Sequence, residues 1–314
     1  MNTKSTREAA MQAISEAARE DDKIVIVSPD AVGAARAKKF AEEFPDRVIE
    51  VGIAEQDAVD IAAGLATTGM KPIVVSYAGF LTMRACEMIR TFVAYPGLNV
   101  KLIGLNGGML GGEREGVTHQ FYEDVGIMRS MPGVKIITPA DAQQTYLAAK
   151  AMLDIDGPVY LRLGSGREPE VFPEGTPFEF GKIREVLHFG DDVAIFASGF
   201  IMNRAIEAAE ELKRSGINAT LVDVSSVKPI DSSGITEVLR RCGCAVAVED
   251  HNIYGGMSSA ICEVACHYYP CKVIRLGLHD VYPRSGKAAE LLDAYGLSVK
   301  DIVIGAKAAM SKEE

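Results

Sequence analysis

The chain lacks any apolar run approaching the roughly 18 to 20 residues that an α-helix needs to cross a bilayer, so no transmembrane span is expected. Its first twenty residues lack the apolar stretch of a signal peptide. Arg7, Glu8, Glu16, Arg19 and Glu20 are interleaved there with alanines at helical spacing, and the expected compartment is the cytoplasm. Basic residues are in deficit: 33 Lys and Arg face 43 Asp and Glu, a formal net charge of −10, which argues against nucleic acid or an anionic membrane as partner. The six cysteines follow no common zinc spacing, and no metal site is expected among Cys262, Cys266, His267 and Cys271. Cys262 and Cys266 stand one helical turn apart among small apolar residues, as buried thiols would, and disulfides are not expected in a cytoplasmic chain. Internal repeats and low-complexity tracts are absent as well.

What remains is a globular composition, 48% hydrophobic and 24% charged over 314 residues, long enough for two α/β domains. Apolar strands at about 23–28, 72–77, 100–105, 134–138 and 158–163 alternate with helical segments at about 33–44, 55–65, 81–94 and 121–129. A further helix is capped by Asp141. Residues 166–185 are rich in Pro, Gly and charge, the composition of a linker. Strands at about 193–199, 219–224, 245–249 and 273–276 follow. The pattern predicts two doubly wound, mostly parallel sheets, in domains 1–165 and 186–314.

The organising stretch is Glu50-Val51-Gly52-Ile53-Ala54-Glu55, a short strand turning through Gly52 into a helix whose buried face is Ala58, Ile61, Ala62 and Leu65. Glu55 thereby stands near the carboxyl end of a strand, where open parallel sheets place their ligands. Phe80 and Tyr77 follow the next strand. A glycine-rich loop from Asn106 ends in Glu115-Gly116-Val117-Thr118-His119-Gln120. It has neither the Lys-Ser/Thr ending of a P-loop nor the spacing of a dinucleotide fingerprint. Asp30 closes Ser28-Pro29-Asp30, as a polar contact at a strand end or as a helix cap.

The segments around Glu55, Phe80 and Thr118-His119-Gln120, with Met131-Pro132-Gly133 and later Asp250-His251-Asn252-Ile253-Tyr254-Gly255, resemble the transketolase family of thiamine diphosphate enzymes over nearly the whole chain. The resemblance implies a pyrimidine-binding domain followed by a transketolase carboxy-terminal domain. It implies that Glu55 is hydrogen-bonded to ring nitrogen N1′ of the cofactor's aminopyrimidine and that Phe80 stacks on that ring; Tyr77 is a second candidate for the same pocket, and Asp30 a candidate cofactor contact with the helix-cap reading open beside it. His119 would face the substrate as a proton donor and acceptor, with Glu115 beside it. Arg162 and Arg167 are both candidates for the phosphate of a ketose. The family's Gly-Asp-Gly motif for the diphosphate and Mg²⁺ is missing. A partner chain carrying the amino-terminal half is therefore expected to supply it, in an α2β2 heterotetramer that transfers a two-carbon ketol unit from a ketose to an aldose. A deoxyxylulose-phosphate synthase or 2-oxo acid dehydrogenase β chain, and a non-catalytic scaffold subunit, are the alternatives.

Overall fold

The computed structural model describes residues 5–112 and 115–311. Its first six strands are β1 (Ile24–Ser28), β2 (Val48–Glu50), β3 (Lys71–Tyr77), β4 (Lys101–Leu105), β5 (Lys135–Ile137) and β6 (Val159–Arg162). The second half of the chain adds β7 (Arg184–His188), β8 (Val193–Ser198), β9 (Ala219–Asp223), β10 (Ser226–Lys228), β11 (Cys244–Asn252) and β12 (Lys272–Leu278). They form two mostly parallel sheets, ordered β10-β5-β6-β4-β3-β1-β2 and β12-β11-β8-β9-β7. Strands β1, β4 and β6 are buried along their whole length, as strands covered on both faces are, which is why they show no alternation of apolar and polar residues.

Two strands escape the sequence pattern. β7 lies at the edge of the second sheet, antiparallel to β9 and only partly buried, so it carries little apolar signal. β10 belongs by sequence to the second half but pairs antiparallel with β5 of the first sheet. The helix expected from residue 33 starts only at Lys38, because Arg36 takes a left-handed φ of 64° that interrupts the first turns. Around Phe80–Ala94 the helix is wound largely as π-helix, a form that recurs at functional sites.

The halves share one buried core: Val125, Met128 and Met131 pack in the same cluster as Val224, Val227 and Met257. Thr138 donates its backbone N–H to Ser225 O at 2.7 Å, and Gln144 Nε2 donates to the Asp223 carboxylate. Burial pushes the Asp223 carboxyl up to about 7, against the opposing pull of Gln144, Ser225 and Arg184. The native state therefore binds more protons than the unfolded chain between about pH 4 and pH 7, so this group's contribution falls as pH rises through that window. Asp223→Asn, which keeps an acceptor for Gln144, is expected to stabilise the chain by about 1–3 kcal/mol more at pH 8 than at pH 4. Denaturant melts at the two pH values read the difference; an equal effect at both would mean that Asp223 does not titrate between them.

Candidate active site

The first sheet reverses its winding between β1 and β3, since the chain runs from β1 outward to β2 and returns on the other side of β1 as β3. The carboxyl ends of these strands are the expected ligand crevice. At that crevice Glu50 gathers the ends of β1 and β2: it accepts from Ser28 Oγ at 2.9 Å and from the backbone N–H groups of Asp30 and Gly52. These bonds hold Asp30 at a φ of 56°, with its side chain exposed. The chain then crosses Gly52, at a φ of 72°, and Ile53 to reach the helix Glu55–Thr67.

Glu55 is the first residue of that helix and is only 2% exposed. The positive end of a helix favours a carboxylate there. Its Oε2 accepts from Arg84 Nη1 at 2.6 Å, which leaves Oε1 for a further donor. Arg84 also lies 4.7 Å over the Phe80 ring. One π-helical turn thus carries both the aromatic face and the cation that border the buried carboxylate.

Phe80 sits among three other rings. Its centroid is 5.8 Å from Tyr77, 5.3 Å from His119 and 5.3 Å from Phe121, all edge-on, and Tyr77 meets His119 at 5.3 Å. Edge-to-face packing at such distances fixes ring orientation as well as burying area. The structure therefore brings Glu55, Phe80, Tyr77 and His119 into one locality, reached from β2, from β3 and from the loop after β4. Gly79 makes this packing possible, because a Cβ there would lie 1.9 Å from Phe121 Cδ1.

His119 ends a 3₁₀ turn, Val117–His119, and its Nδ1 lies 3.0 Å from Thr118 Oγ1. His119 is half-buried. Glu115 is exposed just before Gly116. Gln120, next to His119, is buried with its Oε1 unbonded and its Nε2 donating to Arg284 O at 3.2 Å. Sequence reasoning missed Phe121, Arg84 and Glu50. Phe121 follows Thr118-His119-Gln120 directly and Arg84 is four residues from Phe80, so spacing alone could have flagged both.

Arg162 is a different case. It is buried, its Nε and Nη2 bind both oxygens of Asp124, and Nη2 also donates to Phe121 O and Asp250 O. With those bonds committed it braces the floor behind the ring cluster rather than presenting a cation to a substrate. Arg167 is exposed on the segment that follows β6. Glu249 and His251 take structural places in the fold. Glu249 caps the helix Met257–Tyr268 through Met257 N and Ser258 N, and His251 Nε2 accepts from Gly126 N. Among the described residues no group of three or more His, Cys, Asp or Glu side chains is placed to hold a metal ion, and no helix is long and apolar enough to cross a membrane.

Comparison with known proteins supplies the family context. The family model described as "Transketolase, pyrimidine binding domain" matches residues 2–167, and "Transketolase, C-terminal domain" matches residues 181–302. A putative transketolase C-terminal section of Methanocaldococcus jannaschii is 38% identical over 99% of this chain and 98% of its own length. A 6-deoxy-6-sulfo-D-fructose transketolase subunit of Clostridium sp. is 36% identical over 95% of this chain and 92% of its own. Among solved structures, "Split gene transketolase, inactive beta4 tetramer" superposes with a TM-score of 0.89 at 38% identity, covering 98% of this chain and 99% of that one.

Proposed function

This chain belongs to the transketolase family, with that family's pyrimidine-binding and carboxy-terminal domains, and on that premise we propose that it is the carboxy-terminal subunit of a split, thiamine diphosphate-dependent transketolase. The observation that carries the reading is the pairing of a buried carboxylate, Glu55, with an aromatic face, Phe80, at the carboxyl ends of parallel strands. A flat, basic heterocycle fits that pair: the carboxyl group can hydrogen-bond a ring nitrogen through Oε1 and the phenyl ring supplies a platform. When bound, the cofactor supplies the nucleophile and electron sink for breaking and making a carbon–carbon bond beside a ketone.

The chain's own residues would divide the remaining work. Glu55 Oε1 is available to the pyrimidine while Arg84 holds Oε2. Tyr77 and His119 border the same rings on the substrate side, and His119 would exchange protons with the hydroxyl and carbonyl oxygens of a ketose. Asp30, on its pinned turn, and Glu115, exposed before Gly116, are assigned to the polar rim. Arg162 is committed within the fold, and Arg167, exposed on the segment after β6, is the other candidate cation for an acidic group on the sugar. The relative named for 6-deoxy-6-sulfo-D-fructose makes an anionic sugar a reasonable donor.

The diphosphate and Mg²⁺ are assigned to an amino-terminal-half partner, because Mg²⁺ needs several oxygen ligands and this chain carries no Gly-Asp-Gly motif. Support for such a partner comes from an apolar groove of about 560 Å³ beside the Glu55 helix, lined by Ala63, Phe92, Tyr95 and Leu98. Tyr95 is 89% exposed and Phe92 46%, a concentration of open apolar surface that suits a protein interface. The assembly would be an α2β2 heterotetramer. Calorimetry with thiamine diphosphate and Mg²⁺ tests the proposal. Binding is expected with the co-purified partner and not with this chain alone, and ketol transfer should appear only in the complex. No binding in the complex would leave a scaffold subunit in its place.

A further inference from the structure

The second sheet has its own switch point, between β8 and β11, because the chain leaves β8 toward β9 and returns on the other side as β11. The crevice at the carboxyl ends of those strands is where an open α/β sheet ordinarily takes a ligand. Here it is filled by the first domain. Met109 is fully buried in one cluster with Ala197, Ile201 and Val248. At the end of β11, Asp250 is 1% exposed and accepts from Met109 N at 3.0 Å through Oδ1 and from Leu110 N at 3.3 Å through Oδ2. Gly108, at a φ of 82°, lets the loop come that close, since a Cβ there would lie 2.1 Å from Asp250 Oδ2.

The same short stretch of β11 holds the returning limb of the loop. Asn252 N donates to Tyr122 O at 2.8 Å, and Arg162 Nη2 bridges Phe121 O at 3.1 Å and Asp250 O at 3.0 Å. Between the limbs, Gly108 and Phe121 exchange backbone hydrogen bonds that close the loop's neck. The outgoing limb then runs against His119 itself: a Cβ at Gly112 would lie 2.2 Å from His119 O. The position of 109–112 is thus transmitted by direct contact to the backbone of His119, from which the imidazole projects.

We propose that Asp250 is a positioning residue of the active site: from the second domain it pins the glycine-rich loop at Met109 and Leu110, and so sets the place of His119. Each carboxyl oxygen of Asp250 accepts from one of two adjacent amides in a dry crevice, so the loop is held at two points that water cannot replace. The Glu55–Phe80 side of the site hangs on β2 and β3 and has no contact with Asp250 among the bonds described above. The inference predicts a split: the substrate side depends on Asp250 and the cofactor side does not. Its kinetic arm rests on the transketolase reading; its structural arm does not.

The test uses the full chain with its partner, comparing wild type with Asp250→Asn and Asp250→Ala. Asp250→Asn is nearly isosteric and turns one of the two acceptors into a donor facing a backbone N–H. Amide exchange in the 106–112 peptide should quicken by about tenfold or more in Asp250→Asn, with the peptides of β3 and of the Glu55 helix unchanged. In the kinetic arm, thiamine diphosphate affinity should stay within about twofold while kcat/KM for the ketose falls by roughly ten- to a hundredfold, more in Asp250→Ala than in Asp250→Asn. Unchanged exchange at 106–112 would overturn the proposal. So would a parallel loss of cofactor affinity, substrate turnover and melting temperature, which is the signature of a general weakening. If the wild-type complex shows no turnover, the functional reading fails and the exchange arm still decides the role of Asp250.

Discussion

Glu55→Gln should lower ketol transfer by the assembled enzyme by about 10²- to 10⁴-fold, the range expected when a proton-transferring group is removed from a positioned site. Glutamine is close to isosteric, keeps an acceptor for Arg84 and leaves the ring cluster of Tyr77, Phe80, His119 and Phe121 untouched. What it removes is the ability to take and give a proton at a site only 2% exposed, where water cannot substitute. The lost ion pair with Arg84 should matter little for stability, because Arg84 is 47% exposed and such pairs are typically worth under about 1 kcal/mol. The melting temperature should therefore stay within a few degrees of wild type while turnover collapses. Steady-state kinetics and a thermal melt on the same preparation read both quantities. A turnover within tenfold of wild type would remove Glu55 from the chemistry.

Much of this site was legible in the sequence because its parts sit on local motifs. Glu55 follows a strand and a Gly52 turn, Phe80 follows β3, and His119 ends a recognisable loop, so each could be named from neighbours within ten residues. The rest depends on contacts between residues far apart in the chain. Arg84 is 29 residues from Glu55, and no periodicity announces that it faces the carboxylate. Asp250 is 141 residues from Met109, and an acidic residue at a strand end is usually read as a cap or as solvated surface. The same reason explains β10, three residues long, whose partner β5 lies in the other half of the chain. Arg162 shows the converse hazard. An arginine at the end of a strand looks available for an anion until the fold reveals that its Nε and Nη2 already have acceptors.

Arg162→Ala is accordingly expected to destabilise the chain by about 3–5 kcal/mol, the usual penalty for stripping one partner from a buried ion pair. Nε donates to Asp124 Oδ2 at 2.8 Å and Nη2 to Oδ1 at 3.1 Å, while Tyr160 OH donates to Oδ2 at 2.6 Å. Asp124 and Tyr160 are fully buried. Burial by itself would push the Asp124 carboxyl up, but the Arg162 charge and the hydrogen bonds from Arg162 and Tyr160 more than offset it and hold it below the ordinary carboxylate range. In the wild type this group therefore stabilises the fold above its unfolded-state pKa, and the contribution is lost as pH falls through the lower native value. Removing Arg162 reverses the sign: the carboxyl left behind is raised by desolvation, so the variant should suffer most near pH 8 and recover part of the loss near pH 5, where the stranded group can take up a proton. A deficit of this size corresponds to a fall of roughly 5–8 °C in melting temperature for a chain of this length. The double variant Arg162→Met with Asp124→Leu should be less damaged than the two single losses combined, because no unpaired charge remains. Melts of Arg162→Ala, Asp124→Leu and the double variant at both pH values decide between two roles. If Arg162 bound the substrate instead, Arg162→Ala would raise the KM for an anionic sugar, leave the melting temperature where it was, and show no dependence on Asp124.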